Sequence, residues 1–366
     1  MAIYKIAVIR GDGIGKDVVE EGIKVLEAVA PAHKINWKWT EFPWSTDYYF
    51  KTGRMMPEDA LETLSKFDAI YLGAVGHPKV QDHVTLNGLL LPIRRKFDQY
   101  VCERPSILFE GVSSPLANKK PGEIDMVVIR ENTEGEYANV GGFQYKDTPQ
   151  EVAVQTSVFT RHGCERVIRY AFQLAQKRKK KMRVCSITKS NAMGYSMVLW
   201  DRTFKAVAAE FPGIQTDSYL IDRACMEFIR KPEQFDVVVA SNLFGDILTD
   251  IGAIITGSIG LAQSANVNPE RDHPSMFEPT HGSAPDIAGK GIANPMAQVL
   301  TGAMLLRHLG EQKAGDQVEN AVRRVLADGE VLTPDLGGKS KTWDVGDTIA
   351  ASLGAKPAAA KARRRK

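Results

Sequence analysis

Two aspartates four residues apart carry the densest chemical suggestion in the chain. Asp246 and Asp250 lie in Ser241-Asn242-Leu243-Phe244-Gly245-Asp246-Ile247-Leu248-Thr249-Asp250, directly after the strand-like run Asp236-Val237-Val238-Val239-Ala240. A helix starting near Gly245 would set both carboxylates on one face. Oxygen ligands presented in that way suit a hard divalent cation such as Mg²⁺ or Mn²⁺; a solvated pair on a helix surface is the rival reading. The nearly uncharged run 251–260 that follows should be buried, and carboxylates at the mouth of an apolar segment need a partner. Asp222, in Ser218-Tyr219-Leu220-Ile221-Asp222-Arg223-Ala224, reads as a third metal carboxylate or as a helix cap.

Three arginines stand in suggestive settings: Arg94, Arg104 before Pro105, and Arg130 at the end of an expected strand. The planar guanidinium fork matches a carboxylate, so a cluster of three would bind a dicarboxylate. Singly, each reads as a surface or salt-bridge residue. Arg95 adjoins Arg94, and the sequence does not say which of them faces inward. Tyr137 follows Arg130-Glu131-Asn132-Thr133-Glu134-Gly135-Glu136 and is a candidate general acid in an electropositive site, against the plainer reading of a structural tyrosine. Lys189 follows Val184-Cys185-Ser186-Ile187-Thr188, at the C-terminal end of an expected strand, where α/β sites form. Near a cation it becomes a candidate general base.

Two glycine-rich segments invite a cofactor reading. Gly11-Asp12-Gly13-Ile14-Gly15 follows a first strand, but its third glycine falls one place early for the dinucleotide fingerprint and Lys16 stands where it is required. No acidic residue closes a clear second strand either, so an ordinary Rossmann site is not expected; these glycines let a tight loop approach a ligand or a neighbouring strand. The second segment is His281-Gly282-Ser283-Ala284-Pro285-Asp286-Ile287-Ala288-Gly289-Lys290-Gly291-Ile292-Ala293-Asn294-Pro295, before a helix expected over 296–309. Such a loop can wrap an adenosine, with a carboxylate accepting from the ribose hydroxyls; a capped surface loop is the alternative.

The elements that must position these residues alternate in type. Strand-like runs at 5–9, 35–40, 69–72, 126–130, 183–188 and 235–240 are interleaved with helix-like stretches at 17–30, 57–67, 164–176 and 193–210, the pattern of an α/β chain with mainly parallel pairing. Between 137 and 159 the pattern breaks into alternating, glycine-bearing segments, read as short antiparallel strands forming an arm used in dimerisation. At 366 residues two domains are expected. Apolar residues at 43% and charged residues at 25% describe an ordinary globular protein.

Cys102, Cys164, Cys185 and Cys225 are widely scattered, which suggests a reducing compartment and no cysteine metal cluster. The first residues read as a strand without the apolar core of a signal peptide, so a cytoplasmic protein is the expectation. Six of the positive charges lie after Gly354, so the net charge of +3 becomes 3 − 6 = −3 for the body. A disordered solubilising tail is the expected role of that end. Neither it nor Lys177-Arg178-Lys179-Lys180-Lys181, which suits a helix C-terminus, comes with the aromatic residues of a nucleic-acid site.

Taken together these segments resemble the decarboxylating β-hydroxyacid dehydrogenases, the isocitrate/isopropylmalate dehydrogenase family, over about 5–350. The resemblance is carried by Gly11-Asp12-Gly13-Ile14-Gly15, Arg94 through Arg104-Pro105, Val128-Ile129-Arg130 through Tyr137, 242–250 and 281–295, in the family's order. It implies an α/β two-domain fold with a mainly parallel sheet and no Rossmann fingerprint. One domain, 1–102 with 260–353, would carry most of the NAD site; 103–259 would form the other, with the dimer interface and an arm at about 138–158. The tail, 354–366, stands outside.

The resemblance further implies an obligate homodimer with shared active sites and no nucleic-acid or membrane partner. Its cofactors would be NAD, Mg²⁺ or Mn²⁺, and K⁺. Asp222, Asp246 and Asp250 would be the metal ligands, Lys189 with Asp222 the base, and Tyr137 the acid that protonates C3. Arg94, Arg104 and Arg130 would hold the substrate carboxylates, with Leu90 beside the C3 substituent. His281, Gly282, Ser283, Ala284, Asp286, Ile287, Asn294 and Asp335 would line the cofactor. Asp286 would favour NAD over NADP by repelling the extra phosphate.

Within the family, Phe42-Pro43-Trp44-Ser45-Thr46-Asp47-Tyr48-Tyr49 and Ala69-Ile70-Tyr71-Leu72-Gly73-Ala74-Val75-Gly76 look like the tartrate dehydrogenase/decarboxylase and D-malate dehydrogenase branch. That branch has Ser-Leu-Trp where this chain has Thr85-Leu86-Asn87. The expectation is oxidative decarboxylation of D-malate to pyruvate and CO₂, with tartrate oxidised as well. Leu90 and Leu91 keep 3-isopropylmalate as the runner-up, and a purely nucleic-acid-binding role for the basic segments is the non-enzymatic alternative.

Overall fold

The alternating strands and helices build one ten-stranded sheet in the computed structural model, which describes residues 1–354. In chain order the strands are β1 (Ala2–Gly11), β2 (Ile35–Glu41), β3 (Ala69–Ala74), β4 (Val101–Ile107), β5 (Asp125–Glu131), β6 (Gly135–Gln144), β7 (Val152–Val158), β8 (Arg183–Thr188), β9 (Gln215–Leu220), β10 (Val237–Ala240), β11 (Ala265–Val267) and β12 (Ser275–Phe277). The sheet order is β2-β1-β3-β12-β11-β4-β5-β10-β8-β9, and β6 pairs only with β7. Neighbours run parallel except at β12–β11, β11–β4 and β4–β5. The mainly parallel expectation holds, with an antiparallel patch where the N-terminal and middle parts of the chain meet.

Strands covered on both faces need apolar residues on both. Every residue of β3 and of β10 is buried. The covering helices are α1 (Gly15–His33), α2 (Arg161–Arg178), α3 (Ser196–Ala208), α4 (Ile221–Arg230), α5 (Asn242–Ile255), α6 (Met296–His308), α7 (Gln312–Asp328) and α8 (Thr342–Ser352). Buried side chains such as Val25, Leu26, Tyr71, Val128, Trp200, Val238, Leu300 and Val322 form one continuous core from both ends of the sheet. One acid is drawn into this packing: Glu21 on α1 is buried against Lys24, and its carboxyl is pushed up to about 7 because burial outweighs the lysine. No helix of the described residues is long and apolar enough to cross a membrane.

Several boundaries differ from the sequence expectation for local reasons. The helix expected over 57–67 shrinks to Ala60–Leu64. The helix expected near Gly245 begins at Asn242, because the distant carboxylate of Glu136 accepts from Ser241 Oγ at 2.8 Å and from the Leu243 N–H at 3.1 Å. The Leu243 N–H is one of the orphan donors of a helix N-terminus, and the carboxylate also suits the positive end of the helix dipole. The run 251–260 is buried for the most part, but Ile254 and Ile259 are exposed.

The segment 82–96, for which the sequence suggested no element, is helical, with a π turn at Leu86–Leu90. The hairpin β6–β7 supplies the expected short antiparallel strands, exposed along most of both. The basic run 177–181 does more than end a helix: Arg178 pairs with Asp125 and Asp236, and Lys180 with Asp125. The basic tail beyond Gly354 lies outside the described residues.

Candidate active site

Antiparallel pairing of β4 with β5 sets Cys102 opposite Arg130 and Arg104 opposite Val128, which brings two of the three arginines to one face. α5 supplies the third component. Gly245 allows this closeness, since a Cβ there would lie 2.6 Å from the Arg130 Cβ. Arg104 Nη1 reaches Asp246 Oδ1 at 3.0 Å and Thr249 Oγ1 at 2.8 Å. Arg130 Nη1 bonds the same Asp246 oxygen, while its Nε and Nη2 donate to Asn242 Oδ1 at 3.0 and 2.7 Å. Tyr137 donates to Asp246 Oδ2 at 2.9 Å, and its ring lies 5.3 Å from the Arg130 guanidinium.

Arg94 enters from the helical segment 91–96 and pairs with Glu278 at 2.7 Å, both side chains almost wholly buried. Its neighbour Arg95 turns elsewhere and donates to the Tyr137 carbonyl at 2.5 Å. Arg94 is therefore the inward-facing member of the pair, and Arg95 braces the strand that carries Tyr137. Together Leu86, Leu90, Leu91, Arg94, Arg104, Arg130, Tyr137, Asp246, Glu278, His281 and Gly282 line a pocket of about 190 Å³. Its lining combines guanidinium and leucine side chains, which suit a small dicarboxylate with a modest C3 substituent.

The electrostatics follow from this crowding. Burial opposes the charge on Asp246, but Arg130 and Arg104 outweigh it and hold the carboxyl at about 2. Burial, then the negative charge of Asp246, raises the Tyr137 hydroxyl above its ordinary value, so it keeps its proton at neutral pH. Asp250, one turn along α5 and exposed, makes no side-chain hydrogen bond or ion pair among the described residues; partial burial and then Asp246 raise its carboxyl. Two carboxylates that repel each other, one without a partner, are a donor set that a divalent cation fits. No group of three or more His, Cys, Asp or Glu side chains able to hold a metal occurs among the described residues.

Lys189 and Asp222 stand apart from this pocket. They pair with each other at 2.6 Å, Lys189 just past β8 and Asp222 exposed in the first turn of α4. The Lys189 hydrogen bond holds the Asp222 carboxyl below its ordinary value. One chain does not bring them to Asp246 and Asp250.

The loop 281–295 packs against the first glycine-rich loop. Ile14 N–H donates to the Ser283 carbonyl at 2.8 Å, and a Cβ on Gly13, whose φ is +51°, would strike that carbonyl. The loop 11–15 is thus a brace for the second loop, pinned by buried Asp12, which accepts from Ser45, Thr46 and Gly76. Ala284 and Ile287 pack with Ile14, Val18 and Ala293. Asn294 accepts from the Met296 N–H at the start of α6 and donates to Asp335 at 3.0 Å. Asp335 is already engaged at both oxygens, by Ser258 and Asn294 on one and Thr333 on the other.

Asp286, by contrast, is exposed and makes no side-chain hydrogen bond among the described residues. His281 lies buried with Nδ1 3.1 Å from the Gly282 carbonyl, which places its proton there. Its Nε2 is a buried acceptor without a partner, and burial lowers its pKa so that the ring stays neutral. An orphan buried acceptor and a free exposed carboxylate on the same loop are groups that the adenosine half of a dinucleotide would fit.

Glu278, Asn242 and Thr249, which fix the three arginines, were not singled out from the sequence. Only their position beside Arg94, Arg130 and Arg104 in the fold reveals them.

Comparison with known proteins agrees with this geometry. A family profile described as isocitrate/isopropylmalate dehydrogenase matches residues 5–349. The chain is 53% identical to a tartrate dehydrogenase/decarboxylase of Pseudomonas putida over 358 residues, covering 96% of this chain and 98% of that protein. It is 52% identical to a D-malate dehydrogenase (decarboxylating) of Escherichia coli, covering 95% and 98%. Among solved structures, an isocitrate dehydrogenase from Methylococcus capsulatus superposes with a TM-score of 0.86 at 34% identity, covering 96% of this chain and 99% of that one.

Proposed function

The chain belongs to the isocitrate/isopropylmalate dehydrogenase family, and from that premise we propose that it catalyses the oxidative decarboxylation of D-malate to pyruvate and CO₂, with oxidation of tartrate as an additional activity. The observation that supports this most directly is the convergence of Arg104, Arg130 and Tyr137 on Asp246, beside Arg94 and a leucine wall. Relatives named for tartrate and D-malate dehydrogenation, matched over nearly their whole length, support the substrate class.

The residues divide the work as follows. Arg94, Arg104 and Arg130 bind the two substrate carboxylates, and their fixed partners Glu278, Asn242 and Thr249 hold them in place before substrate arrives. Asp246 and Asp250 would hold Mg²⁺ or Mn²⁺, and His281, Asp286 and the loop around them would hold NAD. When bound, the cation supplies Lewis acidity and NAD the hydride acceptor. Lys189, oriented by Asp222, takes the proton of the C2 hydroxyl. Tyr137, kept protonated by burial and by Asp246, delivers its proton to C3 after CO₂ departs. Asp286 selects NAD, because its free carboxylate accepts from ribose hydroxyls and repels a 2′-phosphate.

Lys189 and Asp222 reach the pocket from a second copy of the chain in this reading. Met226 and Ile229 on α4 and Ile247 and Ile254 on α5 are exposed at 45–54%, a patch suited to burial against its own copy. The hairpin β6–β7, exposed along most of both strands, would add to that contact. We place the domain boundaries at 102/103 and 259/260, so that the sheet crosses between the domains at β4 and β11.

The decisive assay is NADH formation with Mg²⁺ or Mn²⁺ and K⁺, comparing D-malate, (+)-tartrate and 3-isopropylmalate at equal concentration. D-Malate with the highest kcat/KM, accompanied by pyruvate release, is the expected outcome. 3-Isopropylmalate ahead by tenfold, about 1.4 kcal/mol in the transition state, would mean that Leu86, Leu90 and Leu91 in the pocket dominate recognition and that the runner-up is the substrate.

A further inference from the structure

Strand β4 serves two cavities. Side chains alternate along a strand, so Arg104 turns to the pocket with Asp246, while Glu103, Pro105 and Ile107 line a separate cavity of about 580 Å³. That volume lies within the range of about 300–1,000 Å³ typical of small-molecule sites. One wall is the C-terminal part of α2; the other comes from the late part of the chain, between Gln263 and Arg323.

The charge of this cavity is one-sided. Lys177, Arg178, Lys180, Arg271, Arg307 and Arg323 line it, against the carboxylates of Glu103 and Glu319. Four of the cations are engaged: Arg178 and Lys180 with Asp125, and Arg307 and Arg323 with Glu319. The side chains of Lys177 and Arg271 make no hydrogen bond or ion pair among the described residues. A second observation is independent of charge. Gln263 is only 3% exposed, lines the same cavity, and its side-chain oxygen has no hydrogen-bond partner. A buried amide left unmatched costs about 1–3 kcal/mol, which an occupant carrying a hydroxyl would relieve.

We propose that this cavity binds a small hydroxylated organic anion, whose charged groups meet Lys177 and Arg271 and whose hydroxyl meets Gln263. The site lies on the opposite side of β4 from Arg104 and stands apart from the proposed reaction, sharing no lining residue with the pocket of Arg94, Arg104 and Arg130. The charged group can be a carboxylate or a phosphate, and two probes separate these: citrate and glucose 6-phosphate.

Each probe is titrated calorimetrically into the full-length, metal-free protein, into Arg130→Gln, and into a Lys177→Glu/Arg271→Glu double variant. Binding of at least one probe should survive Arg130→Gln and weaken by about tenfold or more in the double variant. Citrate alone would identify a carboxylate site and glucose 6-phosphate alone a phosphate site. Both substituted side chains are exposed, so the double variant should retain basal turnover. Lys177→Gln/Arg271→Gln repeats the test without charge reversal. The inference is overturned if neither probe binds, if Arg130→Gln abolishes binding, or if the charge-altered variants bind as wild type does.

Discussion

Glu278→Gln isolates how the pocket keeps Arg94 in place. Arg94 Nη2 meets Glu278 Oε1 at 2.7 Å, with 6% and 9% of the two side chains exposed. Asn266 Nδ2 donates to the same oxygen at 2.8 Å and accepts in turn from Asn132 at 2.9 Å. Glutamine keeps an oxygen for Asn266 but leaves a buried guanidinium facing a neutral amide. Breaking a buried pair from one side costs about 3–5 kcal/mol, a large part of the roughly 5–15 kcal/mol that holds a protein folded. With a urea dependence of about 1–3 kcal/mol per molar, the unfolding midpoint should fall by about 1 M or more. The same substitution should raise the substrate KM more than it lowers kcat, because the arginine proposed to receive the carboxylate is no longer held.

The second half of that test adds Arg94→Met to Glu278→Gln. It removes the stranded charge while sparing the acceptor of Asn266, so the double variant should regain about 2 kcal/mol or more over Glu278→Gln alone while remaining inactive. Urea unfolding followed by far-UV circular dichroism reads both. A cost below about 1 kcal/mol for the single variant, typical of a surface pair, would refute the reasoning. So would a double variant no more stable than the single.

Other outcomes are expected from the same geometry. Tyr137→Phe should slow protonation after decarboxylation by about 10²–10⁴-fold and leave hydride transfer less affected, which pre-steady-state NADH formation against product release can separate; equal loss in both steps would remove Tyr137 as the acid. Asp286→Lys should shift the ratio of kcat/KM for NAD over NADP toward NADP, and an unchanged ratio would show that the ribose lies elsewhere. Glu21 has its carboxyl raised to about 7 by burial against the partial compensation of Lys24. The folded state therefore favours the protonated form, and this contribution is full below the unfolded value near 4.5 and lost as pH rises through about 7. Stability of Glu21→Gln, measured by denaturant titration, should decline less than wild type over that window.

How much of this could be read from the sequence depends on how local the determinant is. The placing of Asp246 and Asp250 one turn apart on a helix is legible in their spacing beside an apolar run, and the hairpin β6–β7 in its alternating, glycine-bearing strands. The choice between Arg94 and Arg95 could not be made, because it turns on Glu278, 184 residues away from Arg94 in the chain. Asn242 was equally silent: an asparagine in a helix start reads as a cap until the fold sets Arg130 against it. The helical segment 82–96 escaped notice because its π turn at Leu86–Leu90 displaces the apolar stripe from the regular helical period. Spacing also said nothing of the pairing of Lys189 with Asp222, since neither residue's partner lies within its own element.

The order of strands in the sheet has a consequence for the nascent chain. β3 is buried throughout, yet its neighbour on one side is β12, so its edge at Ala69–Tyr71 stays open until Ser275–Phe277 has been made. About 200 residues separate the two, a wait of roughly 10–40 s at ordinary rates of synthesis. During that time an apolar strand, Ala-Ile-Tyr-Leu-Gly-Ala, presents unpaired N–H and C=O groups as a template for other chains. Yield of native protein should therefore be governed by the speed of the ribosome and by whatever shields that edge, independently of how stable the finished enzyme is.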